Sequence, residues 1–130
     1  MFPKATNFEY CFNNSCFDCA DIAFLGGAGT SPNVTLNCSG MFSYAAIGSY
    51  INVDISDNVT DLSNVFINAN TMFSEVTFNT YASISCSNRF MSRLKYADYM
   101  FTNCVVEGAD SWNECRYLES ANEMFRGAHF

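Results

Sequence analysis

Basic residues are scarce in this chain of 130 residues. It contains 6 Lys and Arg against 13 Asp and Glu, which gives a formal net charge of −7 at pH 7. Nucleic-acid backbones are bound through clustered Lys and Arg, and anionic membrane surfaces attract the same side chains. The composition therefore argues against a nucleic-acid-binding protein and against docking on an anionic membrane.

Long apolar runs and prolines are also few. A membrane-spanning helix needs about 20 mainly apolar residues, whereas the longest apolar run near the start, residues 22–25, ends at Gly26. The apolar stretch of a secretory signal does not follow Lys4. With only 2 prolines, no proline-rich linker divides the chain. We expect one domain over residues 1–130, either complete or part of a longer chain or assembly.

The residues that most often carry catalysis or metals are also few. The single histidine is His129, so a Ser-His-Asp or Cys-His site would need the chain end to fold back onto a nucleophile. Cys16 and Cys19 form a lone Cys-x-x-Cys pair, whereas a structural zinc site needs four convergent ligands. We therefore expect no enzyme, no metal and no cofactor. The 7 cysteines are an odd number, so a monomeric disulfide scheme leaves at least one unpaired.

Two groups of carboxylates invite a functional interpretation. Glu119 and Glu123 have the i,i+4 spacing of one helix face, and a pair of carboxylates performs acid–base chemistry in glycosidases. A solvated helix face is the expected role. Asp54, Asp57 and Asp61 offer oxygen ligands of the kind that calcium takes. Their spacing fits no EF-hand loop, and Asp61 is expected to begin a helix.

Glycines and aromatic residues give weaker signals. The Gly-Gly-Ala-Gly segment at 26–29 lacks the Lys-Ser/Thr of a P-loop and the third glycine of a dinucleotide fingerprint, so we expect a loop there. One set of aromatic residues serves either as a binding face or as packing on the flank of the fold. It consists of Tyr44, Tyr50, Tyr96, Tyr99 and Trp112.

An internal repeat aligned on phenylalanine is the strongest feature. The residue before this Phe is Met in four of five copies, and the residues four before and three after it are mostly small. Offsets of −7, −4, 0 and +3 lie along one stripe of an α-helix. The pattern predicts a short helical turn in each unit, with Met and Phe directed into a core. The aligned residues are Phe12, Phe42, Phe73, Phe101 and Phe125.

A second phase competes with the first. Phe42, Phe66 and Phe90 are spaced by 24 residues, and the segments that end at Phe66 and Phe90 also fit a helical stripe. Only one of the two phases can be the structural one around residues 62–101. The sequence leaves this choice open.

Candidate strands lie between the predicted helical turns. They cover residues 21–25, 50–55 and 81–85, and the second alternates apolar and polar residues with the period of a half-buried strand. The region around Trp112 gives the weakest prediction. The predicted fold class is an α/β repeat, a short irregular leucine-rich-repeat-like solenoid of four to five strand–helix units whose stacking buries their apolar faces. An irregular α+β domain is the alternative.

Three segments resemble the repeat of the BspA-type leucine-rich proteins. They are NVTDLSNVFINA (58–69), LKYADYMFTNC (94–104) and LESANEMFRGA (118–128). In that family a run such as NVTDM-x-x-MF-x-x-A/C follows a short strand, as in residues 51–66 here. The resemblance implies a one-sided solenoid with a role in adhesion or interaction, of a kind found in bacterial surface proteins, some protists and algae, and phage-encoded proteins.

The repeat alignment also accounts for four cysteines. Cys11, Cys38, Cys86 and Cys104 fall at inward positions where other copies carry Ala or Met, so we expect most cysteines to be reduced and buried. Cys16, Cys19 and Cys115 are left without a predicted role.

The sequence predicts a non-enzymatic structural or interaction module, a solenoid repeat protein of a virion or a cell-surface assembly. It would mediate protein–protein contact or adhesion. Its expected partner is another protein or further copies of itself that cap the solenoid ends, with no nucleic acid and no membrane insertion. The alternative is a secreted, disulfide-containing adhesive or glycan-binding domain.

Overall fold

The structure of this chain is a computed structural model that describes residues 5–78, 83–104 and 115–128. Strands dominate these residues, and helix is confined among them to one turn. In chain order the elements are β1 (Cys16–Phe24), β2 (Val34–Asn37), β3 (Ala46–Ile55), β4 (Val65–Asn68), β5 (Thr77–Phe78), β6 (Ser83–Cys86), α1 (Asn88–Met91) and β7 (Leu94–Tyr96).

The described strands form two parallel sheets. One has the order β1-β3-β5, with β6 also paired to β3, and the other has the order β2-β4-β7. Each strand pairs with its equivalent one circuit later, so the chain winds in successive coils. We number these coils by the residues that the structure describes in them. Coil 1 is 5–33, coil 2 is 34–64, coil 3 covers 65–78 and 83–93, coil 4 is 94–104 and coil 5 is 115–128.

Alternating side chains make the long strands two-faced. In β3, Ile51, Val53 and Ile55 are buried while Asn52 faces solvent, which matches the two-residue period of a strand. The parallel register places Ile22 of β1 beside Val53. It therefore aligns the buried side chains of successive coils into continuous rows, and these rows form the core.

Tight turns, not helices, occupy the five Phe-aligned segments. We call them the turn segments, residues 8–15, 38–45, 69–76, 97–104 and 121–128. In every one, the N–H groups at offsets −1, +1 and +3 from Phe donate to carbonyls three residues earlier, as β-turns do. In coils 1 to 4, the N–H groups at −4, −2, 0 and +2 donate to the next coil. Half of the backbone donors in these turn segments are thus satisfied by a neighbouring coil.

Left-handed backbone recurs at two positions in each turn segment. The offsets −2 and +2 have positive φ in all five copies, between 50° and 69°. Such φ values suit glycine and are uncommon for other residues. They place a left-handed residue third in the first and the last β-turn, as a type II turn requires. The ten residues are Tyr10, Asn14, Gly40, Tyr44, Thr71, Glu75, Tyr99, Asn103, Glu123 and Gly127.

The aligned phenylalanines form one continuous column. The ring centroids of Phe12, Phe42, Phe73, Phe101 and Phe125 follow each other at 5.5, 5.6, 5.4 and 5.6 Å, and all four ring pairs are stacked. The methionines that precede four of these residues are buried beside the column. The prediction that matching side chains stack in a single spine is confirmed.

The structure also decides between the two repeat phases. Phe66 lies on the flank, where its ring meets Tyr117 at 5.8 Å, and Phe90 stacks on Phe24 at 5.9 Å. Neither joins the column of Phe73 and Phe101. The Met-Phe phase is therefore the structural one.

The predicted fold class, an α/β repeat of strand–helix units, is wrong. The described residues form two parallel sheets, and their one helix is the four-residue α1. A turn with two left-handed residues directs the offsets −4, −1, 0 and +3 inward, as a helix would. The turn and the helix differ at offset −7. A helical stripe would bury every residue there, whereas Leu94 is buried and Thr35 is exposed.

The strand predictions were partly confirmed. Residues 50–55 lie within β3, and 21–25 and 81–85 overlap β1 and β6, although residues 81–82 lie outside the described part. The strands β2, β4, β5 and β7 were not predicted. One residue of each of β2, β4 and β7 was assigned to the helical stripe at offset −7, namely Thr35, Phe66 and Leu94. Trp112 lies outside the described residues.

Candidate interaction surface

A row of asparagines marks the start of three turn segments. The side-chain Oδ1 atoms of Asn7, Asn37 and Asn68 each accept a hydrogen bond of 3.1 Å from the backbone N–H two residues later. This is the Asx turn, in which the side chain imitates a backbone turn. The row was not predicted, although Asn recurs five places before Phe in the first three copies.

A polar cluster lies on the exposed face of β1 and β3. The Tyr50 hydroxyl donates to Asp21 Oδ2 at 3.0 Å, and Asn52 Nδ2 donates to Asp21 Oδ1 at 3.0 Å. A hydrogen bond with Cys19, followed by the hydrogen bond and negative charge of Asp21, raises the pKa of Tyr50 to about 12. The cluster therefore holds a neutral phenol beside a carboxylate.

Replacing Asp21 by Asn is expected to lower the pKa of Tyr50 toward its ordinary value of about 10. A raised pKa means that folding favours the neutral phenol, so its contribution to stability is present below about pH 10 and is lost as the pH rises toward about 12. The measurement is the tyrosinate absorbance as a function of pH. The signal of Tyr50 is the difference between each protein and the same protein with Tyr50→Phe. Asp18→Asn is the control, because Asp18 bonds to Ser49 instead. A Tyr50 that titrates identically in both Asn variants would contradict the assignment.

A β-bulge displaces the start of this face. The register of β1 and β3 shifts between Phe17 and Cys19, which sets one extra residue of β3 opposite Asp18. A Cβ atom at Gly48 would lie 2.5 Å from Asp18 Oδ1 and 3.2 Å from Asp18 Cα. Only glycine leaves room for this approach, and Ser49 Oγ then donates to Asp18 Oδ1 at 2.8 Å.

An open edge and an apolar groove lie together at the coil 1 end of the stack. Among the described strands, β1 pairs only with β3, so its other edge has no partner there. Phe12 and Phe17 are half-buried, whereas Phe42 below them is fully buried. A groove of about 330 Å³ beside them is lined by Phe12, Phe17, Cys19, Ala20, Asp21, Ile22 and Phe42. Open strand edges beside apolar surface are typical sites of protein contact.

The cysteines divide by position along the stack. All seven are free, and Cys38, Cys86 and Cys104 are buried as predicted. Burial raises the pKa of these three thiols, that of Cys104 to about 12. The inward prediction is wrong for Cys11, which is exposed because it lies in the end coil. Two of the cysteines without a predicted role are exposed, Cys16 and Cys19, and Cys115 is half-buried.

The two carboxylates expected on one helix face, Glu119 and Glu123, each form an ion pair with a different basic residue. Glu119 Oε1 lies 3.7 Å from Lys95 Nζ, and Glu123 Oε2 lies 2.9 Å from Arg126 Nη1. Glu123 sits in a turn segment with left-handed backbone, so the i,i+4 geometry of a helix does not apply. Each carboxylate therefore has its own basic partner.

Two of the three aspartates considered for calcium, Asp54 and Asp61, accept hydrogen bonds within the fold, and the third, Asp57, is exposed. Asp54 Oδ1 accepts hydrogen bonds from Ser87 Oγ at 2.5 Å and from the Ile55 N–H. Asp61 Oδ1 accepts from the Ser63 N–H at 3.0 Å, and hydrogen bonds with Ser63 lower the pKa of Asp61. Asp61 thus closes a turn and does not begin a helix. Within the described ranges, no group of three or more His, Cys, Asp or Glu could hold a metal ion.

The four described members of the aromatic set, Tyr44, Tyr50, Tyr96 and Tyr99, do not form one face. Tyr44 and Tyr99 are exposed at opposite ends of their turn segments, Tyr50 belongs to the polar cluster, and Tyr96 is half-buried. Tyr10, which was not considered, is also exposed. Trp112 and His129 lie outside the described residues. The loop predicted at 26–29 is part of a turn in which the Ala28 N–H donates to the Leu25 carbonyl.

The described part of the chain contains no helix with the length and apolar character needed to cross a membrane. Comparisons with protein-family models, with curated proteins and with solved structures find no match for this chain. The resemblance to the BspA-type repeat therefore stays a prediction from three sequence segments. The surface geometry of coil 1 is the observation from which a function can be inferred.

Proposed function

We propose that this chain is a non-enzymatic structural or interaction module that contacts another protein chain through the coil 1 end of the stack. The open edge of β1 together with the apolar groove beside it carries the proposal. An added strand gains backbone hydrogen bonds from such an edge, and neighbouring pockets supply side-chain specificity. Coil 1 offers both features on one surface.

The chemistry of the groove favours an extended, partly apolar segment. Phe12, Phe17 and Ile22 supply apolar area, while Asp21 provides a charged rim. The two aromatic rings lie 6.1 Å apart in an edge-to-face arrangement, so they present a preformed surface. Little side-chain ordering would then oppose binding.

This contact would serve a virion or a cell-surface assembly, where the chain mediates protein–protein contact or adhesion. The support is the resemblance to BspA-type repeats, whose known settings include surface proteins and phage-encoded proteins. The stacked coils add a second argument. Coils that contact only their neighbours build an extended body, and its two end surfaces are free to contact other proteins.

Photo-crosslinking tests the proposed surface. A benzoylphenylalanine in place of Phe17, inside the groove, is expected to form covalent adducts with a protein of the source particle or cell. The same group in place of Ala23, exposed on the same strand, is the matched control. Equal adduct yields at the two positions would contradict a binding role for the groove.

The alternative, a secreted disulfide-containing adhesive or glycan-binding domain, draws support from one observation. Three cysteines of coil 1, Cys11, Cys16 and Cys19, are exposed and open to oxidation.

Thiol counting separates the two functions. In the native protein we expect a thiol reagent to label the three exposed cysteines rapidly and Cys38, Cys86 and Cys104 slowly, because burial raises the pKa of those thiols and blocks access. In denaturant, close to seven reactive thiols support the interaction module. A count of one or three in protein isolated without reductant would support the secreted domain instead.

A further inference from the structure

The two ends of the stack carry complementary rows of backbone hydrogen-bonding groups. Between neighbouring coils, the N–H groups at offsets −4, −2, 0 and +2 of one turn segment donate to carbonyls at −5, −3, −1 and +1 of the next. This pattern repeats at all four coil junctions, with N···O distances of 2.7 to 3.1 Å. The direction never reverses. The described stack therefore has an acceptor end and a donor end.

Coil 1 is the acceptor end. The carbonyls at its four acceptor offsets belong to Asn7, Glu9, Cys11 and Asn13. Nothing within residues 5–78, 83–104 and 115–128 donates a hydrogen bond to them. Their spacing is the one that coils 2 to 5 present to the preceding coil.

Coil 5 is the donor end. The N–H groups of Ala121, Glu123 and Gly127 lie at the offsets −4, −2 and +2, and they donate to no acceptor in the described part of the chain. In coils 1 to 4 the N–H groups at these same offsets reach the next coil. The geometry of the junction is thus already present on both surfaces.

We propose that copies of this chain associate head to tail, with the turn segment of coil 5 on the turn segment of coil 1 of the next copy. The inference rests on the proposed function and names its partner as a second copy. The junction would use the register of the four internal junctions. In that register the N–H groups of Ala121, Glu123 and Gly127 donate to the carbonyls of Asn7, Glu9 and Asn13, respectively.

Side chains in this register are compatible. Asn122 would face Glu9, Glu123 would face Tyr10 and Arg126 would face Asn13, so no two like charges meet. An amide already accompanies Glu9 within one copy, since Asn37 Nδ2 donates to Glu9 Oε2 at 3.5 Å. The opposite polarity, with two identical ends together, would oppose donors to donors or acceptors to acceptors. The backbone rows therefore select head-to-tail association, which is heterologous and can extend beyond a dimer.

Two arginine variants, one at each end, test the junction. Cys11→Arg places a cation on the acceptor end and Ala121→Arg places one on the donor end, and both positions are exposed within one copy. Each is expected to weaken self-association at least about 100-fold, because an unpaired charge would be buried at the contact. Ala23→Arg, on the exposed face of β1, carries the same added charge and is the control. Circular dichroism and Tm establish that each variant is folded, and Cys11→Glu is a second variant at the acceptor end.

Sedimentation velocity over a concentration series provides the measurement. We expect the wild-type chain and Ala23→Arg to form a ladder of oligomers that grows with concentration, while each end variant stays monomeric. Mixing Cys11→Arg with Ala121→Arg should produce a dimer and nothing larger, because one intact donor end and one intact acceptor end remain.

Two outcomes would overturn the inference. One is a wild-type chain that stays monomeric up to its solubility limit. The other is association that neither end variant weakens. If a different protein is then crosslinked at position 17, self-association is wrong while the proposed function stands. If position 17 crosslinks no better than position 23, the proposed function itself fails.

Discussion

Phe73→Ala is expected to destabilise the protein by about 3–5 kcal/mol, the range for removing a large aromatic side chain from a core. Phe73 is fully buried, and its ring lies between those of Phe42 and Phe101 at 5.6 and 5.4 Å. Alanine removes both stacking contacts and leaves a cavity in the middle of the column. A fall in Tm of more than about 10 °C should accompany this loss in a chain of this size. Chemical denaturation gives the free energy of unfolding directly.

A matched control is available on the surface. Tyr44→Ala removes an aromatic side chain that is 61% exposed and should change the free energy of unfolding by less than about 0.5 kcal/mol. The double variant Phe42→Ala, Phe73→Ala should be non-additive, because the two rings are in contact. A Phe73→Ala protein as stable as Tyr44→Ala would show that the column does not hold the coils together.

Arg93→Met is expected to destabilise the protein by about 2–3 kcal/mol through lost hydrogen bonds to a cation and lost cation–π contacts. Arg93 is only 7% exposed, and its Nε donates to the Val65 carbonyl at 2.8 Å. Its guanidinium carbon lies 4.4 Å from the ring centroid of Tyr117 and 5.1 Å from that of Phe66. One side chain therefore joins coil 3 to coil 5. Thermal and urea unfolding measure the effect.

Two further substitutions distinguish geometry from charge. Arg93→Lys keeps the charge but loses the planar group, so we expect it to recover less than half of the loss. Arg126→Met removes a cation whose side chain is 68% exposed and paired with Glu123, and it should cost less than about 1 kcal/mol. Equal destabilisation by Arg93→Met and Arg126→Met would contradict the role assigned to Arg93.

The core was more predictable than the backbone that carries it. The Met-Phe alignment identified Phe42, Phe73 and Phe101 as buried and stacked, because equivalent residues of a repeat meet equivalent neighbours. The helix assignment failed because a side-chain pattern reports which residues face inward and not which hydrogen bonds their backbone makes. A few residues per unit are too short for the two conformations to be told apart by periodicity.

Left-handed backbone was the least predictable feature. Thr71, Glu75 and Tyr99 have φ near +57° in the turn segments, although none of these residue types favours that conformation. Each donates its N–H to the next coil at 2.8 to 2.9 Å, and these bonds exist only when the coils are stacked. Gly40 and Gly127 are the two left-handed positions of the turn segments where the sequence has glycine, and a Cβ at Gly40 would collide with the Tyr10 ring.

The candidate surface could not be predicted from the repeat because it lies at one end of the stack. Cys11 occupies the same offset as Met41 and Met72, yet it is exposed because it belongs to coil 1. Repeat alignment treats all copies as equal, so it predicted burial. Likewise, the open edge of β1 follows from which strands pair, and pairing partners about 30 residues apart are not visible in local sequence.

The sequence by itself determined which side chains form the core, because burial follows apolar character and its spacing along the chain. Its net charge of −7 also argues against nucleic acid and anionic membranes as partners. Only the tertiary structure decided that parallel strands and left-handed turns carry that core. The physical reason is that, in coils 1 to 4, half of the backbone donors of each turn segment bond to the next coil, a contact that no single repeat can make alone.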